Sequence, residues 1–146
     1  MKQEQLRGLL CKPAFSGIYH LPSSGLAALQ EACTALEYPC FKTDLQEATD
    51  MAVVLTALGD ALGFPAWYGA NLDALKDCLT DFSWHDAPGY VLIISGADAL
   101  HADCTLFANL NAVFSSTIEE WREHGIPFWV FYDMRADGLA ALPTLA

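Results

Sequence analysis

Residues 90–95, Tyr-Val-Leu-Ile-Ile-Ser, decide how this chain is built. The run is apolar without alternation, which is the pattern of a strand buried on both faces. Ala87-Pro88-Gly89 ahead of it is a turn signal, and residues 84–89 read as a loop. Downstream, 98–104 reads as loop or short helix. Residues 105–123 then carry Phe107, Leu110, Phe114, Ile118 and Trp121 at helical spacing, and Gly125 ends that helix. Residues 127–132 form a second apolar strand. Upstream, Thr49 or Asp50 can cap a helix with Val53, Val54, Ala57, Leu58, Ala61 and Leu62 on its apolar side, ended by Gly63. Two shorter strands, 18–21 and 40–45, precede it. Between them lies a helix with Leu26, Leu29, Cys33 and Leu36 as its apolar face, capped by Ser23 or Ser24. Leu6, Leu9 and Leu10 suit a short helix before Pro13. Strands alternating with helices predict an α/β fold: a small parallel sheet of three to four strands, in two or three layers, with right-handed crossovers.

One segment does not serve the core alone. Residues 64–82 read FPAWYGANLDALKDCLTDF. An aromatic turn opens it, and Asn71 is a good helix N-cap. Asp73, Asp77 and Asp81 recur every four residues, so a helix places them in one stripe. Leu72, Leu75, Cys78, Leu79 and Phe82 fall on roughly the opposite side. Like charges four apart cost about 0.2–0.5 kcal/mol per pair in an isolated helix. A stripe kept at that cost suits a cationic partner. Asp73 can instead merely complement the helix dipole, but Asp77 and Asp81 lie too far toward the negative end for that. Plain surface charge is their other reading.

The run Trp67-Tyr68-Gly69-Ala70-Asn71-Leu72-Asp73-Ala74-Leu75-Lys76-Asp77-Cys78-Leu79 resembles the acidic recognition helix of the barstar family, intracellular inhibitors of secreted bacterial ribonucleases. The resemblance continues more loosely from about Phe41 to Asp133. It implies a barstar-like fold with an exposed acidic helix and a protein that blocks a ribonuclease without doing chemistry. It implies that Asp77 enters a basic cleft as a phosphate mimic. Trp67 and Tyr68 would pack beside the active site, with Gly69 allowing close backbone approach. Asn71, Asp73, Lys76, Thr80, Asp81 and Phe82 complete the implied partner-binding set. For Trp67 and Tyr68, closing the core beneath the loop is the plainer role. Lys76 departs from an aromatic family position; a cation there would weaken pairing with a basic site, or pair with Asp73 or the surroundings of Thr80. The last helix also runs longer to its glycine than in barstar, and Glu119 or Glu120 would supply any further acidic contact.

Composition fits that expectation. The chain has 146 residues, 53% of them hydrophobic, and a formal net charge of −11 with only 7 basic residues. Such a balance disfavours nucleic acid and anionic membranes, which need Lys and Arg. It suits a basic protein partner, or solubility alone. Five cysteines with no CxxC pair suit a reducing compartment. No signal-length or membrane-length apolar run occurs. The expectations are a cytoplasmic single domain, monomeric when free. Residues 1–40 add a strand and helix that extend the sheet, cover an edge strand or serve self-association; 134–146 form a loose tail.

An enzyme would need chemistry elsewhere. His101-Ala102-Asp103-Cys104 holds suggestive residue types, but neighbours that close do not converge on one centre without a special loop. His20, His85 and His124 are isolated. There is no GxGxxG or GxxxxGK[ST] phosphate loop. Asp73 and Asp77 lack the burial that tunes acid–base pairs. No catalytic residue, cofactor or metal is expected. The remaining alternative is a barstar-fold immunity or adaptor protein for a different basic partner.

Overall fold

The computed structural model describes residues 3–21, 25–45, 50–64, 71–81, 87–96 and 104–133. Four strands lie there: β1 (Ile18–His20), β2 (Cys40–Asp44), β3 (Tyr90–Ser95) and β4 (Phe128–Asp133). Five helices accompany them: α1 (Gln3–Leu10), α2 (Leu26–Leu36), α3 (Met51–Leu62), α4 (Leu72–Asp81) and α5 (Cys104–Glu123). All strand pairings are parallel, in the order β1-β4-β3-β2. The expected α/β architecture is present, and its parallel sheet has four strands, within the three to four expected. The expected tail at 134–146 lies outside the described residues.

The order dictates the layers. From β2 to β3 to β4 the chain steps across the sheet in one direction. From β1 to β2 it jumps to the far edge in the opposite direction. Right-handed crossovers therefore put the intervening helices on opposite faces. The core follows that division. Tyr90, Leu92, Ile94, Phe128, Val130 and Tyr132 pack with α3, α4 and α5. The alternate residues Val91, Ile93, Trp129 and Phe131 pack with Leu6 and Leu10 of α1 and with Leu29, Ala32 and Cys33 of α2. Period-two alternation of a strand, with both faces covered, explains why β3 and β4 are apolar throughout.

Residues before 38 thus do more than lengthen an edge. β1 extends the sheet beside β4, and α1 and α2 form a complete second layer. The Trp129 indole donates to the Leu10 carbonyl at 3.1 Å. Arg122, from the opposite layer, donates to the carbonyls of Pro13 at 3.1 Å and Ser16 at 2.7 Å. Tyr38 fits over Gly89, where a Cβ would fall 2.5 Å from the ring.

One helix face is turned from its expected position, and another holds: Leu26, Leu29, Cys33 and Leu36 of α2 all face the core. In α3, Leu55 and Gly59 are buried with Val54, Leu58 and Leu62, whereas Val53 is 47% exposed. Asp50 caps this helix by accepting from the Val53 amide at 3.0 Å, which starts α3 with Val53 pointing outward. In α2, Ala32 is buried, while Leu26 and Leu36 at the ends are half-buried. The α2 N-cap is Gly25, without a side-chain cap bond; Ser23 and Ser24 lie outside the described residues.

Candidate functional site

α4 begins where expected. The Asn71 side chain accepts from the Ala74 amide at 2.8 Å, and its carbonyl accepts the first helical bond from Leu75. Both interactions satisfy amide groups that a helix N-terminus leaves without partners. Leu75, Cys78 and Leu79 are buried, and Leu72 packs against the same core. Asp73, Asp77 and Asp81 are all exposed. The geometry therefore sets three carboxylates along the solvent side of a helix whose other side is fixed in the core. Burial, reinforced by Asp77 and Asp81, raises the Cys78 thiol above its ordinary pKa, so Cys78 is a core residue and a poor nucleophile.

α5 holds this helix in place. The Trp121 indole donates to the Leu79 carbonyl at 2.8 Å, and its ring lies 5.1 Å from that of Tyr90. One turn away, Lys76 Nζ meets Glu120 Oε2 at 2.9 Å. The sequence left Lys76 to weaken the stripe or to pair with Asp73 or the neighbourhood of Thr80. It pairs with Glu120 instead. The reason is the α4–α5 packing, which brings residues 44 apart in sequence into contact. Thr80 is occupied by its own helix, donating to the carbonyls of Lys76 and Asp77. Glu120, one of the two acids considered on the last helix, therefore adjoins the acidic stripe and neutralises the one cation within it.

Among the predicted site residues, Asn71, Asp73, Lys76, Asp77, Thr80 and Asp81 share this one element. Trp67, Tyr68, Gly69 and Phe82 lie outside the described residues, as do His85 and residues 101–103. His20 is buried in β1, and His124 is exposed just past the end of α5. Among the described residues, no group of three or more His, Cys, Asp or Glu is placed to hold a metal ion. None of the helices there is long and apolar enough to cross a membrane.

With this geometry in view, the comparisons are direct. The sequence profile of the family described as Barstar (barnase inhibitor) matches residues 38–133. This chain belongs to the barstar family. A Bacillus subtilis (strain 168) protein named "Putative ribonuclease inhibitor YrdF" is 47% identical over 45 residues, 31% of this chain. The match spans 47% of that relative's length. Two solved structures share the wider arrangement. The structure of Drosophila ORC bound to DNA has a TM-score of 0.59 at 14% identity, covering 97% of this chain and 40% of that one. The ORC2 protein of Aeropyrum pernix, in ADPNP-ADP complexes, has a TM-score of 0.62 at 15% identity, covering 94% and 41%. At such identities the likeness concerns the fold alone. The barstar match begins at Tyr38, so β1, α1 and α2 lie outside it.

Proposed function

We propose that this barstar-family chain is a non-catalytic inhibitor of a basic, barnase-type microbial ribonuclease. It binds one enzyme per inhibitor and closes the active-site cleft with α4. Asp77, at the centre of the stripe, occupies the position of a phosphate and pairs with Arg or Lys of the enzyme, bidentately where the partner is Arg. Asp73 and Asp81 extend the field along the helix. Trp67, Tyr68, Gly69 and Phe82 contribute the apolar and close-contact part of the surface, with Asn71 and Thr80 at the helix itself. The observation that carries this reading is the exposed three-carboxylate stripe on a capped helix anchored by α5. Three like charges do not stabilise an isolated helix, while opposite charge on a partner both steers encounter and rewards binding. The chain acts as one cytoplasmic domain, monomeric when free.

The test is titration against a panel of barnase-type ribonucleases, at low and high salt, with RNA cleavage as readout. Stoichiometric inhibition is expected, weakened by salt and lost in Asp77→Ala. Inhibition indifferent to Asp77 would refute the phosphate-mimic mechanism. Absence of inhibition across the panel would favour a barstar-fold immunity or adaptor protein for another basic partner.

A further inference from the structure

The acidic stripe runs into the end of α4 that tolerates it least. The carbonyl end of a helix carries partial negative charge and favours basic side chains. α4 has no basic residue in its last turn and carries Asp81 there, with Asp77 one turn before. Residues 82–86, Phe-Ser-Trp-His-Asp, offer no glycine to close the helix in a left-handed turn. A helix of 10 residues with such an end frays unless a group outside it takes up its last carbonyls.

Trp121 supplies that group. Its indole N–H donates to the Leu79 carbonyl at 2.8 Å, across 42 residues of sequence. The donor is itself fixed in place. Its ring packs 5.1 Å from that of the buried Tyr90 and 6.3 Å from His124. Its own carbonyl accepts the amides of His124 and Ile126, both at 3.0 Å, where α5 closes at Gly125. The next residue, Arg122, ties the same turn to Pro13 and Ser16.

We propose that Trp121 is the positioning residue of the acidic helix: its indole N–H fixes the last turn of α4, and so sets where Asp77 and Asp81 stand when a partner arrives. The inference rests on the inhibitor reading for the nature of that partner, and on the α4–α5 geometry for the order of the helix. The indole is a neutral donor directed into the protein, so it acts without altering the field of the stripe. The Lys76–Glu120 pair, the other tether between these helices, cannot be removed without altering it. Ordering a loose helix end on binding costs free energy, whereas encounter is steered by charge. Loss of the indole N–H therefore shortens the life of a complex and leaves its rate of formation alone.

Trp121→Phe keeps an aromatic ring and removes the N–H. Ile118→Val, one turn earlier on the same buried face, is the control for a comparable loss of stability. Amide hydrogen exchange of the full chain, followed by NMR, is the first readout. The amides of Leu79, Thr80 and Asp81 should exchange about 3- to 10-fold faster in Trp121→Phe than in the control, the scale of one hydrogen bond, while β3 amides exchange alike in both. Stopped-flow binding to a ribonuclease that the parent inhibits is the second. Dissociation should be about 3- to 10-fold faster in Trp121→Phe than in the control, with the association rate and its salt dependence unchanged. Last-turn exchange no faster than in Ile118→Val, or dissociation equal in the two variants, would overturn the proposal. If no ribonuclease of the panel is inhibited, the inhibitor reading fails and the exchange comparison alone decides this one. If Trp121→Phe does not fold, the parent decides: last-turn amides protected as strongly as that of Leu75 support the proposal, and amides that exchange as freely as in an unstructured peptide overturn it.

Discussion

Asp77 shows how stability and binding separate at a single residue. It is exposed and carries no packing, so Asp77→Ala should leave thermal stability within about 0.5 kcal/mol of the parent. On the proposed mechanism the same change weakens the ribonuclease complex by at least ~30-fold, the size of a ~2 kcal/mol hot spot. Glu120 sits beside it with a different role. Its pair with Lys76 is partly exposed, at 30% and 46%, so it adds no more than about 1 kcal/mol to stability. Its larger effect is on the field. Glu120→Gln removes one negative charge and uncovers the positive charge of Lys76 next to Asp77. Association with a basic ribonuclease should slow severalfold at low salt, and the difference should shrink as salt screens it. Stopped-flow binding at two ionic strengths measures this. An unchanged association rate would mean that Glu120 lies outside the partner's approach. The carboxylate stripe was legible in the sequence because its spacing is helical. The Lys76–Glu120 pair was not, since no local pattern links residues on different helices.

Helix ends show the same division at the scale of elements. α3 and α5 stop at Gly63 and Gly125, both in the left-handed region, with the following amide bonded back to the helix. Glycine at such a position is a readable signal. α2 ends by the same device, with Glu37 at φ 60° and the Tyr38 amide bonded to Cys33. Glutamate carries no such signal, so nothing in the sequence marks the turn. A non-glycine residue there costs roughly 1–2 kcal/mol, which the Tyr38 packing and the paired amides offset. Glu37 is exposed, so Glu37→Gly removes strain without removing a buried contact. Part of the gain is returned as unfolded-chain entropy. The expected net stabilisation is about 0.5–1 kcal/mol, or ~1–4 °C in melting temperature for a chain of this size. Calorimetry of the reduced protein measures it, and a lower melting temperature would show that Glu37 makes a favourable interaction in the turn. The rotated face of α3 has a similar cause. Its residues are apolar nearly all round, and the cap at Asp50 sets its phase where periodicity alone does not.

The whole molecule poses a question that its family membership sharpens. The barstar match covers 38–133, yet the sheet within that segment has a second apolar face. Val91, Ile93, Trp129 and Phe131 are each 0% exposed, and what covers them is α1 and α2. The doubly buried strands were plain in the sequence, but which segment covers which face depends on strand order, and strand order is a long-range property. Fully burying four such side chains is worth roughly 6–12 kcal/mol at 1.5–3 kcal/mol each. The net stability of a domain is only about 5–15 kcal/mol. Removing residues 1–37 would forfeit most or all of that margin, together with the Trp129–Leu10 and Arg122 bonds and the edge strand β1. The fragment 38–146 should therefore lose its cooperative melting transition, or associate through the bared face and bind the dye ANS strongly. Circular dichroism melting, dye fluorescence and sedimentation of the fragment beside the full chain make the comparison. A monomeric fragment that melts cooperatively and ignores the dye would mean that the family segment is self-sufficient and the second layer serves some other end. If the fragment fails as expected, the first 37 residues are an integral layer of this barstar-family fold, and the acidic helix depends for its rigidity on a layer on the opposite face of the sheet.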